Sequence, residues 1–195
     1  CNGITSSLDA IGMGYNFVRT RLSSLVLAGG VDEITELQAM MKSSDKDLGE
    51  AGGFLLLESE ETIAENKKFA EIVGYKSRAL SKEQRVSLVE TISNLVIEAT
   101  TSGENNITDA INISLCSAFS SCESEAILSD ICKKLNLSNA AECVKTDWMG
   151  ACGIMQAGKA LENISKRKDE SAMWVLVNID REKAAVLVLK SVNSF

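Results

Sequence analysis

An α/β fold with a mixed sheet is predicted by three observations. Short apolar runs alternate with stretches of helical periodicity, several runs are apolar on both faces, and the chain closes on a hairpin pattern. The 195 residues are 45% apolar, enough for one domain with a substantial core.

The elements follow in order. From Ser6 to about Arg21, Leu8, Ile11, Tyr15, Val18 and Leu22 recur at three- and four-residue steps and predict a helix, with Gly12 and Gly14 marking close packing. Ser24–Gly30 reads as a short buried strand ending in a glycine turn. The polar, glycine-rich stretch Asp45–Gly53 leads into a second strand, Phe54–Glu58, and a third lies near Ala70–Tyr75. Leu25–Ala28 and Phe54–Leu57 have the unbroken apolar character of central strands covered on both faces. Ser81 is the expected N-cap of the next helix, with Gln84 completing a capping box. Its stripe is Val86, Val89, Ile92, Val96 and Ile97, and it ends near Ser102 and Gly103. Ala110–Leu115 is a strand, Glu123–Leu135 a helix and Gly158–Ile164 a shorter helix. Trp174–Asp180 and Ala184–Ser191 form the hairpin across a tight charged turn.

Composition narrows the partners. Twenty Lys and Arg against 27 Asp and Glu leave a net charge of −7, and the basic residues are scattered, which argues against binding nucleic acid. No apolar run nears the roughly 20 residues of a spanning helix, and no basic region precedes an apolar one. No membrane partner is expected, and the expected location is cytoplasmic. Cysteines stand at 1, 116, 122, 132, 143 and 152 without a CxxC pair, and there is no histidine to share a metal. They read as free thiols, with no metal and no cofactor expected. Asp45, Asp47 and Glu50 are too sparse for a calcium loop and read as solvated, while Trp148 and Trp174 read as anchors of the core or of an interface. The missing histidine also removes the commonest general base, so any histidine chemistry must come from another chain.

Thr5-Ser-Ser-Leu-Asp-Ala-Ile-Gly12, Ala28-Gly-Gly30, Gly49-Glu-Ala-Gly-Gly-Phe-Leu-Leu-Leu-Glu58 and Ala70-Glu-Ile-Val-Gly-Tyr75 carry a resemblance. In order and spacing they resemble the β-ketoacyl synthases from the nucleophile elbow onward. The match continues more weakly through Ser124–Leu128, Lys145-Thr146 and Ala160–Ile164. It implies a thiolase-like fold, a mixed sheet covered by helices. Residues 1–195 would form one segment, the C-terminal portion of that fold, with the N-terminal half on a separate chain. In the family an elbow cysteine takes the acyl chain and two downstream histidines drive decarboxylation. Carried over by position, the nucleophile falls on Ile4, the first histidine on Ser114 and the second at about Gly150 to Gly153.

A ketosynthase-like chain lacking all three resembles the chain length factor, the β subunit of type II polyketide ketosynthases, whose Leu-Asp-Ala is matched by Leu8-Asp9-Ala10. That family usually has Gln at the position of Ile4 and a glycine-rich turn where this chain has Asp180-Arg-Glu-Lys183. The resemblance implies a non-catalytic subunit that pairs with a catalytic ketosynthase α subunit and with its own N-terminal fragment. Together they would elongate a poly-β-ketone and limit its length. The acyl carrier protein is expected to dock mainly on the ketosynthase, because carriers of this class are acidic and so is this chain. Alternatives are another inactive ketosynthase homologue of fatty acid or polyene synthesis, and an amidase-like hydrolase using Cys1 as an N-terminal nucleophile.

A cysteine as first residue is also what remains when a thiol attacks the preceding carbonyl and water releases two chains. Self-cleavage before Cys1, assisted by Thr5, is therefore a further expectation.

Overall fold

The structure, a computed structural model, describes residues 3–36, 40, 45–62, 68–101, 111–137, 141–166 and 172–192. In chain order its elements are α1 (Ser6–Arg19), β1 (Leu25–Asp32), β2 (Asp47–Leu48), β3 (Ala51–Glu58), β4 (Ala70–Ala79), α2 (Lys82–Val86) and α3 (Leu88–Thr101). There follow β5 (Ile111–Ser117), α4 (Ser121–Lys134), β6 (Ala141–Cys143), β7 (Thr146–Asp147), α5 (Cys152–Lys166), β8 (Met173–Ile179) and β9 (Lys183–Ser191).

Five strands form one mixed sheet in the order β4-β9-β8-β5-β6. β8 pairs parallel to β5 and antiparallel to β9, which pairs antiparallel to β4. The side-chain alternation of a strand sends Val175, Val177, Val186 and Val188 to one face, against α3 and α4, and Leu176, Leu187 and Leu189 to the other, against α1 and α5. This double cover explains why β5 and β8 are buried at every position.

β1 and β3 form a separate antiparallel ribbon, Leu27 opposite Leu56 and Gly29 opposite Phe54. Among the described residues these strands are covered on one face. Val26, Ala28, Leu55 and Leu57 turn inward onto α1 and α5, but Leu25, Leu27, Val31, Phe54 and Leu56 are 51–67% exposed on the outer face. The helices α3 and α4 cover only the five-stranded sheet, and no described element lies over the outer face of the ribbon. Helix–hairpin units thus occur twice, α1-β1-β3 and α5-β8-β9, and only the second is flanked by further strands.

Other expectations differ locally. The helix from Ser81 has its capping box, Ser81 Oγ accepting from the Gln84 N–H and Gln84 Oε1 from the Ser81 N–H, but it breaks at Ser87. The break turns Val86 off the apolar face, leaving it 91% exposed. Leu95 and Ala99 join Ile92 and Val96 in the core in place of Ile97. α5 begins six residues before Gly158, and β6 and β7 are too short to announce themselves by alternation. The expected helix end at Ser102 and Gly103 lies outside the described residues.

Gly74 follows an irregularity in the β4–β9 register, and a Cβ there would sit 1.8 Å from the Ala99 carbonyl oxygen. Backbone cannot swing aside, so α3 must lift from the sheet to admit a methyl group. Gly74→Ala is expected to cost about 1–3 kcal/mol, seen as a melting temperature lower by roughly 3–10 °C.

Candidate functional site

The site forms where α1 begins. Residues Gly3–Thr5 make a single 3-10 turn, and Gly3 adopts φ +59 beneath Asp180, where a side chain would overlap the Asp180 carboxylate. Ile4, on this turn, is 5% exposed. Its side chain packs with Cys116 at the end of β5 and Cys152 at the start of α5, flanked by Ala118, Val144 and Trp148. Its carbonyl accepts from Asn178 Nδ2 at 2.9 Å. Ile4 therefore presents a hydrocarbon to two buried thiols.

The other expected positions lie nearby with different surroundings. Ser114 is on the same face of β5, two residues before Cys116, and is held by Gln156, whose Nε2 donates to the Ser114 carbonyl at 3.0 Å and Oγ at 3.2 Å. The Gly150 N–H donates to Asp32 Oδ2 at 2.8 Å, and Gly153 marks the crossing of α1 and α5, where a Cβ would lie 2.5 Å from the Leu8 nitrogen. Between them falls Cys152. Cys1 lies outside the described residues. Thr5 is buried, and its hydroxyl donates to Asp9 Oδ2 at 2.9 Å.

Asp9 organises the turn. Besides Thr5 it accepts from Tyr75 Oη at 2.7 Å and Lys183 Nζ at 2.7 Å, tying the first turn of α1 to β4 and β9. An acidic side chain there also suits the positive end of the helix. Desolvation, then the hydrogen bond to Asp9, hold the Tyr75 phenol well above its ordinary 10.0. The folded state therefore keeps a proton that the unfolded chain releases near pH 10. The contribution is full below that pH and is lost as pH rises beyond it. Melting curves should show an alkaline loss of stability above pH 10 that Tyr75→Phe reduces.

Lys46 was not legible as a site residue. It is 3% exposed, and its ammonium donates to the Ser117 carbonyl at 2.6 Å, beside Cys116. The neighbouring carboxylates are exposed to solvent, as expected, and from there Asp45 accepts from the Ser121 N–H at the start of α4 and Glu50 from the Ile34 N–H. Cys116 and Cys152 were read only as free thiols. The signal that finds them is local, since Cys116 shares a strand face with Ser114 and Cys152 stands between Gly150 and Gly153.

Beside this cluster runs an open groove of about 1500 Å³, bordered by Gly52–Leu55 of β3, Trp148, Met155, Ser114 and Gln156. Gln156 Oε1 and Asn178 Oδ1 are buried without a hydrogen-bond partner among the described residues. No described group of His, Cys, Asp and Glu is arranged to hold a metal ion, and no described helix is long and apolar enough to cross a membrane.

No family model and no curated protein matches the chain. Solved structures do. An ishigamide ketosynthase/chain length factor superposes with a TM-score of 0.79 at 18% identity, over 98% of this chain and 56% of that one. The fold is that of the β-ketoacyl synthases. A β-ketoacyl synthase from Burkholderia phymatum matches at a TM-score of 0.74 and 15% identity, over 98% of this chain and 60% of its own. A type II polyketide ketosynthase, in complex with its acyl-carrier protein and bound to the hexaketide, matches at 0.72 and 13%, over 97% and 58%. The chain thus spans little more than half the length of these ketosynthase-fold structures, and the expected thiolase-like architecture is present in that span.

Proposed function

We propose that this chain is part of a chain length factor, the non-catalytic partner of a catalytic ketosynthase. The observation that carries the reading is Ile4. In a ketosynthase fold the position matched to the nucleophile is Ile4, a hydrocarbon, the chain holds no histidine, and the described surroundings of Ile4 are packed hydrocarbon and thiols. The short Asp180–Lys183 turn reinforces the closure, with Asp180 over Gly3 and Lys183 bound to Asp9. Condensation chemistry would come from the partner, which would also receive the acyl carrier protein. The poly-β-ketone would grow at the interface between the two.

The bare outer face of the β1–β3 ribbon supports a second part of the proposal, that a further segment of the same fold covers it. In the other helix–hairpin unit β9 is flanked by β4 and β8 by β5, with helices above; the ribbon lacks both kinds of neighbour among the described residues. The groove along Gly52–Leu55 and the unpartnered Gln156 Oε1 fit an extended strand laid beside β3.

The test is reconstitution with a catalytic ketosynthase, acyl carrier protein and malonyl donor. This chain with its covering segment should release no carbon dioxide from malonyl carrier by itself and should change the product length distribution when added to the ketosynthase. Decarboxylation by the chain alone, or an unchanged distribution, would refute the reading. At the closed position, Ile4→Cys should resist iodoacetamide in the native state and react only on unfolding; rapid native labelling would show that the pocket is open.

A further inference from the structure

The two thiols that meet Ile4 have no part in the proposed function, yet they are placed together by separate elements. Cys116 lies near the end of β5 and Cys152 opens α5; they are 1% and 0% exposed and are free thiols in one buried cluster with Ile4. Cys152 Sγ also lies 4.0 Å from Asp147 Oδ1, an acceptor for its proton. With no third ligand arranged among the described residues, the pair is not a metal site. What two adjacent thiols can do without a metal is lose two electrons together.

We propose that Cys116 and Cys152 are a redox pair that closes to a disulfide in the presence of a hydroperoxide, stapling the end of β5 to the start of α5 around Ile4. In the first step the Cys152 proton passes to Asp147 and the sulfur attacks one peroxide oxygen. The S–O bond forms, the O–O bond breaks, and the departing oxygen takes the proton back from Asp147 and leaves as water or an alcohol. In the second step the Cys116 sulfur attacks the sulfenic sulfur. The S–S bond forms, the S–O bond breaks, and the hydroxide leaves with the Cys116 proton as water. The thiols supply two electrons and the peroxide accepts them.

The remaining described cysteines supply the internal comparison. Cys122 is exposed on α4, and Cys132 and Cys143 are half-buried against the same apolar cluster. Burial pushes the Cys143 thiol up to about 11, and the neighbouring Cys152 thiol together with burial raises Cys116 as well, so adjacency rather than ionisation separates the two pairs.

The experiment is exposure of the native chain to hydrogen peroxide, then denaturation, maleimide labelling and peptide mapping. The expected result is loss of label at Cys116 and Cys152 together, a linked peptide lighter by ~2 Da than its two thiol halves, and recovery of both labels after dithiothreitol. A Cys152→Ser variant that melts like the wild type should leave Cys116 fully labelled; if it does not fold, the wild-type map decides alone. Retained label at both positions, a Cys132–Cys143 link without a Cys116–Cys152 link, or oxidation that dithiothreitol does not reverse would each overturn the proposal.

Discussion

Asp9→Ala is expected to be among the most damaging single substitutions in the chain, lowering the unfolding free energy by about 3 kcal/mol and the melting temperature by roughly 6–12 °C. The Asp9 side chain is 8% exposed and accepts from three donors on three elements, so its removal takes an acceptor from the Thr5 hydroxyl, the Tyr75 phenol and the Lys183 ammonium at once. The figure stays at the low end for a broken buried pair because the Lys183 side chain is 28% exposed and can turn to water. Asp9→Asn keeps the shape and most acceptor capacity, and should cost less than half as much. Thermal melts of both variants check this, and a melting temperature for Asp9→Ala within 2 °C of the wild type, a bound set by the scale of ~2–4 °C per kcal/mol, would show that the network holds nothing.

Leu27→Glu combined with Phe54→Glu is expected to leave the isolated chain folded and to abolish assembly with its covering segment. Both side chains are more than half exposed on the outer face of the ribbon, so charge there meets water and melting should shift little. Against a covering segment the same change forfeits about 1.5–3 kcal/mol of burial per side chain and leaves two carboxylates to desolvate. Affinity should fall by a factor of about 1,000 or more, measurable by co-purification and titration. Undiminished assembly would mean that the outer face is not the contact.

The sequence made the inner architecture legible because strand alternation and helical spacing report on packing within one element. The β8–β9 hairpin, the Ser81 capping box and the close approaches at Gly12 and Gly14 were all written locally. Gly12 lies against the Tyr75 ring and Gly14 against Leu57, Val26 and Ala28. What stayed hidden depends on partners far along the chain. Lys183 and Asp9 are 174 positions apart, and neither residue type announces the other. The apolar runs in β1 and β3 did indicate two buried faces, but a run states only that cover is needed, not which segment supplies it. At the candidate site the counted position Ser114 shares its strand face with Cys116, the side chain that packs with Ile4, a neighbour that counting along the chain does not reveal.

The ribbon's one-sided cover also sets an order of opening for the molecule. Amides in β8 lie between paired strands beneath two layers of side chains, so their exchange with solvent should require global unfolding. β1 and β3 have only each other among the described strands and hold to the rest through one face. Their outward-facing amides should exchange first, by a local detachment of residues 25–32 and 51–58 that leaves the five-stranded sheet intact. The chain is thus two units of unequal permanence, and the weaker is the one that presents its apolar face outward.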